Sequence, residues 1–98
     1  MAVQNSSMED VKCDIRVPKK YKVIMYNDDF TPMDFVVEIL INIFHKSEKE
    51  AVDLMLMVHK SESAVVGEFS LDIARTKANE CTVLARENGY PFRVEVAK

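Results

Sequence analysis

Asn27, Asp28 and Asp29 follow directly on an apolar, β-rich run. An amide oxygen and two carboxylates at a strand end suit a cationic ligand, either a metal ion or an ammonium group. The same residue types bond their own backbone in turns, and by local pattern alone a turn leading into a helix cap is the simpler account. His59 lies on a stripe with Val52 and Met55 at i, i+3 and i+7. A neutral imidazole at the edge of such a stripe accepts a hydrogen bond and closes a pocket. The negative end of a helix dipole also explains a histidine in a last turn. His45 has that explanation and no companion residues, so it reads as structural. Six methionines fall in 98 residues, with Met33, Met55 and Met57 in helical patterns. Methionine fills cores, and it also lines sites that admit several related shapes.

Other chemistries fit worse. The chain has no G-x-S-x-G elbow for a serine nucleophile and no H-E-x-x-H or Cys/His pair for zinc. Gly67 and Gly89 are its two glycines, which excludes a Gly-rich phosphate loop. Cys13 and Cys81 lie far apart, forming neither a disulfide framework nor a metal site, and imply a reduced, intracellular protein. The formal net charge of −3 provides no general attraction to nucleic acid. No apolar run approaches the roughly 18–20 residues of a membrane span. Met1–Asp14 lacks the pattern of a signal peptide, so the cytoplasm is expected.

The elements that must position these residues fit one core, as the length requires. Residues 1–18 read as a flexible polar arm and 19–98 as the folded domain. Tyr21–Tyr26 predicts a strand. Thr31 as N-cap and Pro32 in the first turn open a helix running to about His45. Phe35, Val36, Ile39, Leu40, Ile43 and Phe44 follow helical spacing, and Met33, Val37 and Ile41 add apolar groups on other faces. Ser47-x-x-Glu50 is a capping box for a second helix to about Lys60, with Ala51, Leu54, Met55 and Val58 inward. Ser63–Phe69 predicts a strand with a bulge at Gly67. Ser70 caps a third helix whose buried stripe is Ala74, Ala78, Cys81 and Leu84/Ala85, and Asn88-Gly89 stops it. Phe92, Val94 and Val96 alternate with charged residues in a final strand. The fold class is α+β, a two-layer β-α-α-β-α-β arrangement with a three-stranded antiparallel sheet packed against three helices.

The stretches YKVIMYNDDFTPMDFV, LMLMVH and GEFSLDIARTKANECTVLARENGYPF together resemble the ClpS adaptors over roughly Pro18–Val96. The resemblance implies a non-catalytic receptor without cofactor or metal. It would bind the free α-amino group and bulky first side chain (Leu, Phe, Tyr or Trp) of N-degron substrates. It would then deliver them to a Clp AAA+ unfoldase, ClpA or ClpC, working with ClpP. By resemblance, Asn27, Asp28, His59 and Asp29 form the site for the α-ammonium, Asp29 with a smaller role, partly in shaping the turn. Thr31, Met33, Val36, Met55, Val58 and Phe92 line or border the side-chain pocket. Met33 stands where the family has its gatekeeper, and its bulk would exclude β-branched side chains. Phe92 departs from the smaller aliphatic residue of many members. Asp72 and Lys77 match positions associated with the unfoldase contact, and their local pattern is equally that of a solvated helix face. A monomer is expected, with no nucleic-acid or membrane partner.

Two alternatives belong to other classes. One is a metal-dependent hydrolase using Asp28, Asp29 and His59. The other is a ribosome- or protein-docking module of similar fold, which has no need of the acidic loop and His59 converging on one pocket.

Overall fold

The computed structural model describes residues 19–98. The expected arm over residues 1–18, with Cys13, lies outside the described residues. The elements run β1 (Tyr21–Tyr26), α1 (Met33–Asn42), α2 (Glu48–Ser61), β2 (Ser63–Phe69), α3 (Leu71–Glu87) and β3 (Arg93–Ala97). The strands form one antiparallel sheet in the order β2-β1-β3. The three helices and this sheet make the α+β fold read from the sequence.

Period-two alternation decides which way the sheet faces. Val23 and Met25 on β1, Ala64 and Val66 on β2 and Val94 on β3 turn into the core. Val23 stands opposite Gly67 but Ile24 opposite Val65, so Val66 is the extra residue of a bulge beside Gly67, as expected.

α1 turns Phe35, Val36, Ile39 and Leu40 inward, while Val37 and Ile41 are partly covered. It ends at Asn42, short of His45. Phe44 drops into the core and His45 adopts a left-handed backbone (φ 57°), which reverses the chain toward α2. There the capping box is complete: Glu50 N–H donates to Ser47 Oγ at 3.1 Å, and Ser47 N–H to Glu50 Oε1 at 3.0 Å.

The expected Thr31 cap does not form. Pro32 is the boundary residue, and its carbonyl accepts from Phe35 and Val36 N–H. Thr31 instead donates both its N–H and its hydroxyl to the Asp28 carboxylate. Ser70 does precede α3, but its hydroxyl makes no cap bond.

α3 lies on the sheet along Ala74, Ala78, Cys81 and Ala85, with Leu84 turned out to solvent. Short side chains let the helix axis approach the strands, so the space beneath it holds few atoms beyond Cβ. Gly89 (φ +79°) takes the left-handed step after the helix, and Tyr90 N–H returns to the Ala85 carbonyl at 2.8 Å. Ala74→Leu forces a branched side chain under a fully buried Cβ and is expected to cost about 1–3 kcal/mol, measured by urea denaturation. A wild-type midpoint would mean that the helix is free to lift.

Candidate functional site

Asp28 organises the loop between β1 and α1. Its Oδ1 accepts from Phe30 N–H at 2.8 Å and Thr31 N–H at 2.7 Å. Its Oδ2 accepts from the Thr31 hydroxyl at 2.7 Å. Partial burial pushes this carboxyl up, but the bonds from Thr31 and Phe30, with the more distant charge of Arg86, outweigh it. The pKa lies below the ordinary value, so the group is ionised at neutral pH. Oδ2 keeps a further lone-pair site for an incoming donor.

The preceding residue ties this loop to another element. Asn27 N–H donates to the Glu62 carbonyl at 2.8 Å. Glu62 caps α2 in a left-handed conformation (φ 69°), one step beyond the helix. The bond therefore sets the acidic loop against the end of α2, whose last turn carries His59. Asn27 and Asp28 are half-buried, while Asp29 and His59 are exposed. Beside them, the Arg93 guanidinium lies over the Tyr26 ring at 4.0 Å. A cleft of about 420 Å³ is lined by Tyr26, Asn27, Asp28, Glu62, Pro91 and Arg93.

The apolar candidates divide by depth. Met33, in the first turn of α1, is 44% exposed. Thr31 and Met55 are half-buried, and Val36 and Val58 are buried. Phe92 is 1% exposed and meets Phe35 of α1 edge-on, with ring centroids 6.4 Å apart. Phe35 in turn meets Tyr90 at 4.9 Å. Phe92 is thus a core residue beneath α1.

Asp72 and Lys77 have different surroundings. Asp72 is exposed in the first turn of α3. Lys77 is half-buried, and its Nζ donates to the Ile43 carbonyl at 2.7 Å, beyond the end of α1. The ammonium also lies 5.6 Å from the Phe44 ring centre and 5.3 Å from that of Phe69. Lys77 therefore anchors α1 to α3. Both residues still line a groove of about 480 Å³ with Ile43, His45 and Ile73.

Sequence reasoning missed Arg86. Its guanidinium donates to the Tyr90 carbonyl at 2.7 Å and the Phe92 carbonyl at 2.9 Å. The available signal was a basic residue in a last helical turn, just before Asn88-Gly89. Burial, with the charge of Glu80, pushes the Cys81 thiol up to about 12, which removes it as a nucleophile at neutral pH. Among the described residues, no three His, Cys, Asp or Glu side chains converge to hold a metal ion. No described helix is long and apolar enough to cross a membrane.

Residues 16–95 match the family model described as ATP-dependent Clp protease adaptor protein ClpS. The chain belongs to the ClpS family. ClpS relatives are close along most of its length. The ClpS adapter of Clostridium acetobutylicum is 43% identical over 100% of this chain and 99% of its own. That of Treponema denticola is 51% identical over 83% of this chain and 80% of its own. Among solved structures, Agrobacterium tumefaciens ClpS2 bound to L-phenylalaninamide superposes with a TM-score of 0.79. It is 42% identical, with 82% of this chain and 96% of that one covered. As a ClpS protein, the chain is an adaptor of the Clp protease.

The Asp28 bonds predict an acid-sensitive loop. A carboxyl whose folded pKa is lowered stabilises the fold fully above its unfolded value, near 3.8, and loses that contribution as pH falls through the folded value. Asp28→Ala is expected to cost about 0.5–2 kcal/mol at neutral pH, as loss of a capping side chain does. It should also flatten the stability curve below pH 3.8. Denaturation series at pH 7 and below 3.8 test this, and an unchanged acid limb would assign the acid response to other carboxylates.

Proposed function

We propose that this ClpS protein binds the N-terminal residue of N-degron substrates and delivers them to a Clp AAA+ unfoldase, ClpA or ClpC, without catalysing a reaction itself. The observation that carries the reading is the ligand of the structural neighbour. L-phenylalaninamide has a free α-amino group and an aromatic side chain, followed by an amide where a peptide would continue. It is the chemical image of an N-terminal phenylalanine.

The chain's own residues fit that ligand class. An α-ammonium has three N–H donors and a positive charge. Asn27 supplies an amide oxygen, Asp28 the open site on Oδ2, and His59 an imidazole acceptor from the turn that the Asn27–Glu62 bond brings near. Hydrogen bonds to charged groups contribute about 1.5–3 kcal/mol each. The Thr31 hydroxyl is committed to Asp28, so Thr31 serves the rim through its methyl group. Asp29 is exposed and completes the turn.

The first side chain enters beside Met33, whose exposed position on α1 suits a gate. Val36, Met55 and Val58 form the walls, and Phe92 is the buried base. Enclosing a Leu or Phe side chain contributes about 1.5–3 kcal/mol. At the upper end of these contributions, about 12 kcal/mol, less an association cost of about 4 kcal/mol, the affinity is about micromolar, weak enough for cargo to be released. A β-branched residue is stiff at χ1 and cannot turn past Met33. Asp72, with Ile73 and the groove beside Lys77, is assigned to the unfoldase.

Fluorescence anisotropy with a labelled peptide beginning in Leu, its acetylated twin and an Ile version tests the pocket. Binding of the free Leu peptide is expected, with at least about 100-fold weaker binding after acetylation, as two lost charge-assisted bonds imply. Equal or absent binding to all three would remove the reading in favour of a docking module. Asp72→Lys is expected to leave peptide affinity unchanged while slowing Clp-dependent degradation of a Leu-led substrate. Undiminished degradation would move the unfoldase contact elsewhere.

A further inference from the structure

The base of the proposed pocket is held from outside it. Phe92 is fully buried and packs edge-on against Phe35. Its height is set by the backbone that carries it, and that segment enters β3 through the turn after α3. Arg86 spans the turn: one guanidinium nitrogen donates to the carbonyls of both Tyr90 and Phe92. It thereby closes the backbone of residues 90–92 over the end of α3. The same side chain lines a cleft of about 580 Å³ with Phe30, Tyr90 and Pro91, so it borders the acidic loop as well. Its charge reaches Asp28. One cation thus touches the segment beneath the side-chain pocket and faces the loop proposed for the ammonium.

We propose that Arg86 is a positioning residue for selectivity among first side chains, fixing through the Tyr90 and Phe92 carbonyls how deeply the Phe92 ring sits. It does not touch the substrate. The inference rests on the N-terminal-residue pocket proposed above, with Phe92 at its base. Releasing the two carbonyls lets the ring withdraw, and the deeper pocket favours the larger side chain.

The test compares affinities for two free-amine peptides that differ only in their first residue, Leu or Trp. The ammonium contribution and any change in folded fraction are common to both peptides and cancel in the ratio, so a purely structural role leaves it unmoved. In Arg86→Met the ratio is expected to shift toward Trp by about threefold or more, a fraction of what one methylene of pocket space provides. Arg86→Lys keeps a donor nitrogen on a different stem and should recover part of the wild-type ratio. A wild-type ratio in every variant that folds overturns the proposal while the pocket stands. Wild-type protein that binds neither peptide overturns the pocket reading, and this proposal with it.

Discussion

The arrangement depends on how the Asp28 carboxylate is used. One oxygen gathers two backbone N–H groups and the other takes a hydroxyl, so four consecutive residues are folded around a single charge. A loop so closed presents the same face each time it is visited, which lowers the ordering cost that a ligand would meet. It also explains the late start of α1. Thr31 serves the carboxylate and not the helix, so Pro32 becomes the boundary and Met33 the first helical residue. The position of the proposed gate follows from a hydrogen bond made by its neighbour.

α3 is the beam on which the other parts are aligned. Its small buried stripe lets it rest close to all three strands, and two cations along it fasten elements at different places. Lys77 holds the Ile43 carbonyl beyond α1, and Arg86 holds the entry to β3. Each guards carbonyl groups left without a helical or strand partner, and a cation is the strongest donor for such a task. The helix that carries the groove proposed for the unfoldase therefore also fastens the end of α1 and the entry to β3.

The legible parts of the chain were those whose signals are local. The capping box at Ser47 and Glu50 acts within four residues, the apolar, β-rich run of β1 within six, and the Asn88-Gly89 stop within a turn. Each appears where it was read. Misreadings arose where a residue had a choice of partners. Thr31 is a good cap by type, but its hydroxyl is turned to Asp28 and makes no bond to the helix. Leu84 and Ala85 are adjacent, and which one faces the sheet depended on a fraction of a turn in helix phase. Lys77 looks like a solvated residue until Ile43, thirty-four positions away, is brought beneath it.

By itself the sequence determined the element order, the inward faces and the residue types able to receive an ammonium group, because periodicity, capping and turn chemistry are properties of neighbouring residues. It also carried enough matched motif to declare the ClpS family. The tertiary structure alone decided that Asn27 is tied to the end of α2, that Phe92 lies wholly buried under α1, and that Lys77 is spent on the carbonyl of Ile43, thirty-four residues away. The physical reason is that these bonds join residues whose proximity exists only once the helices have packed on the sheet. A side chain's partner is then set by the fold, not by its neighbours in the chain.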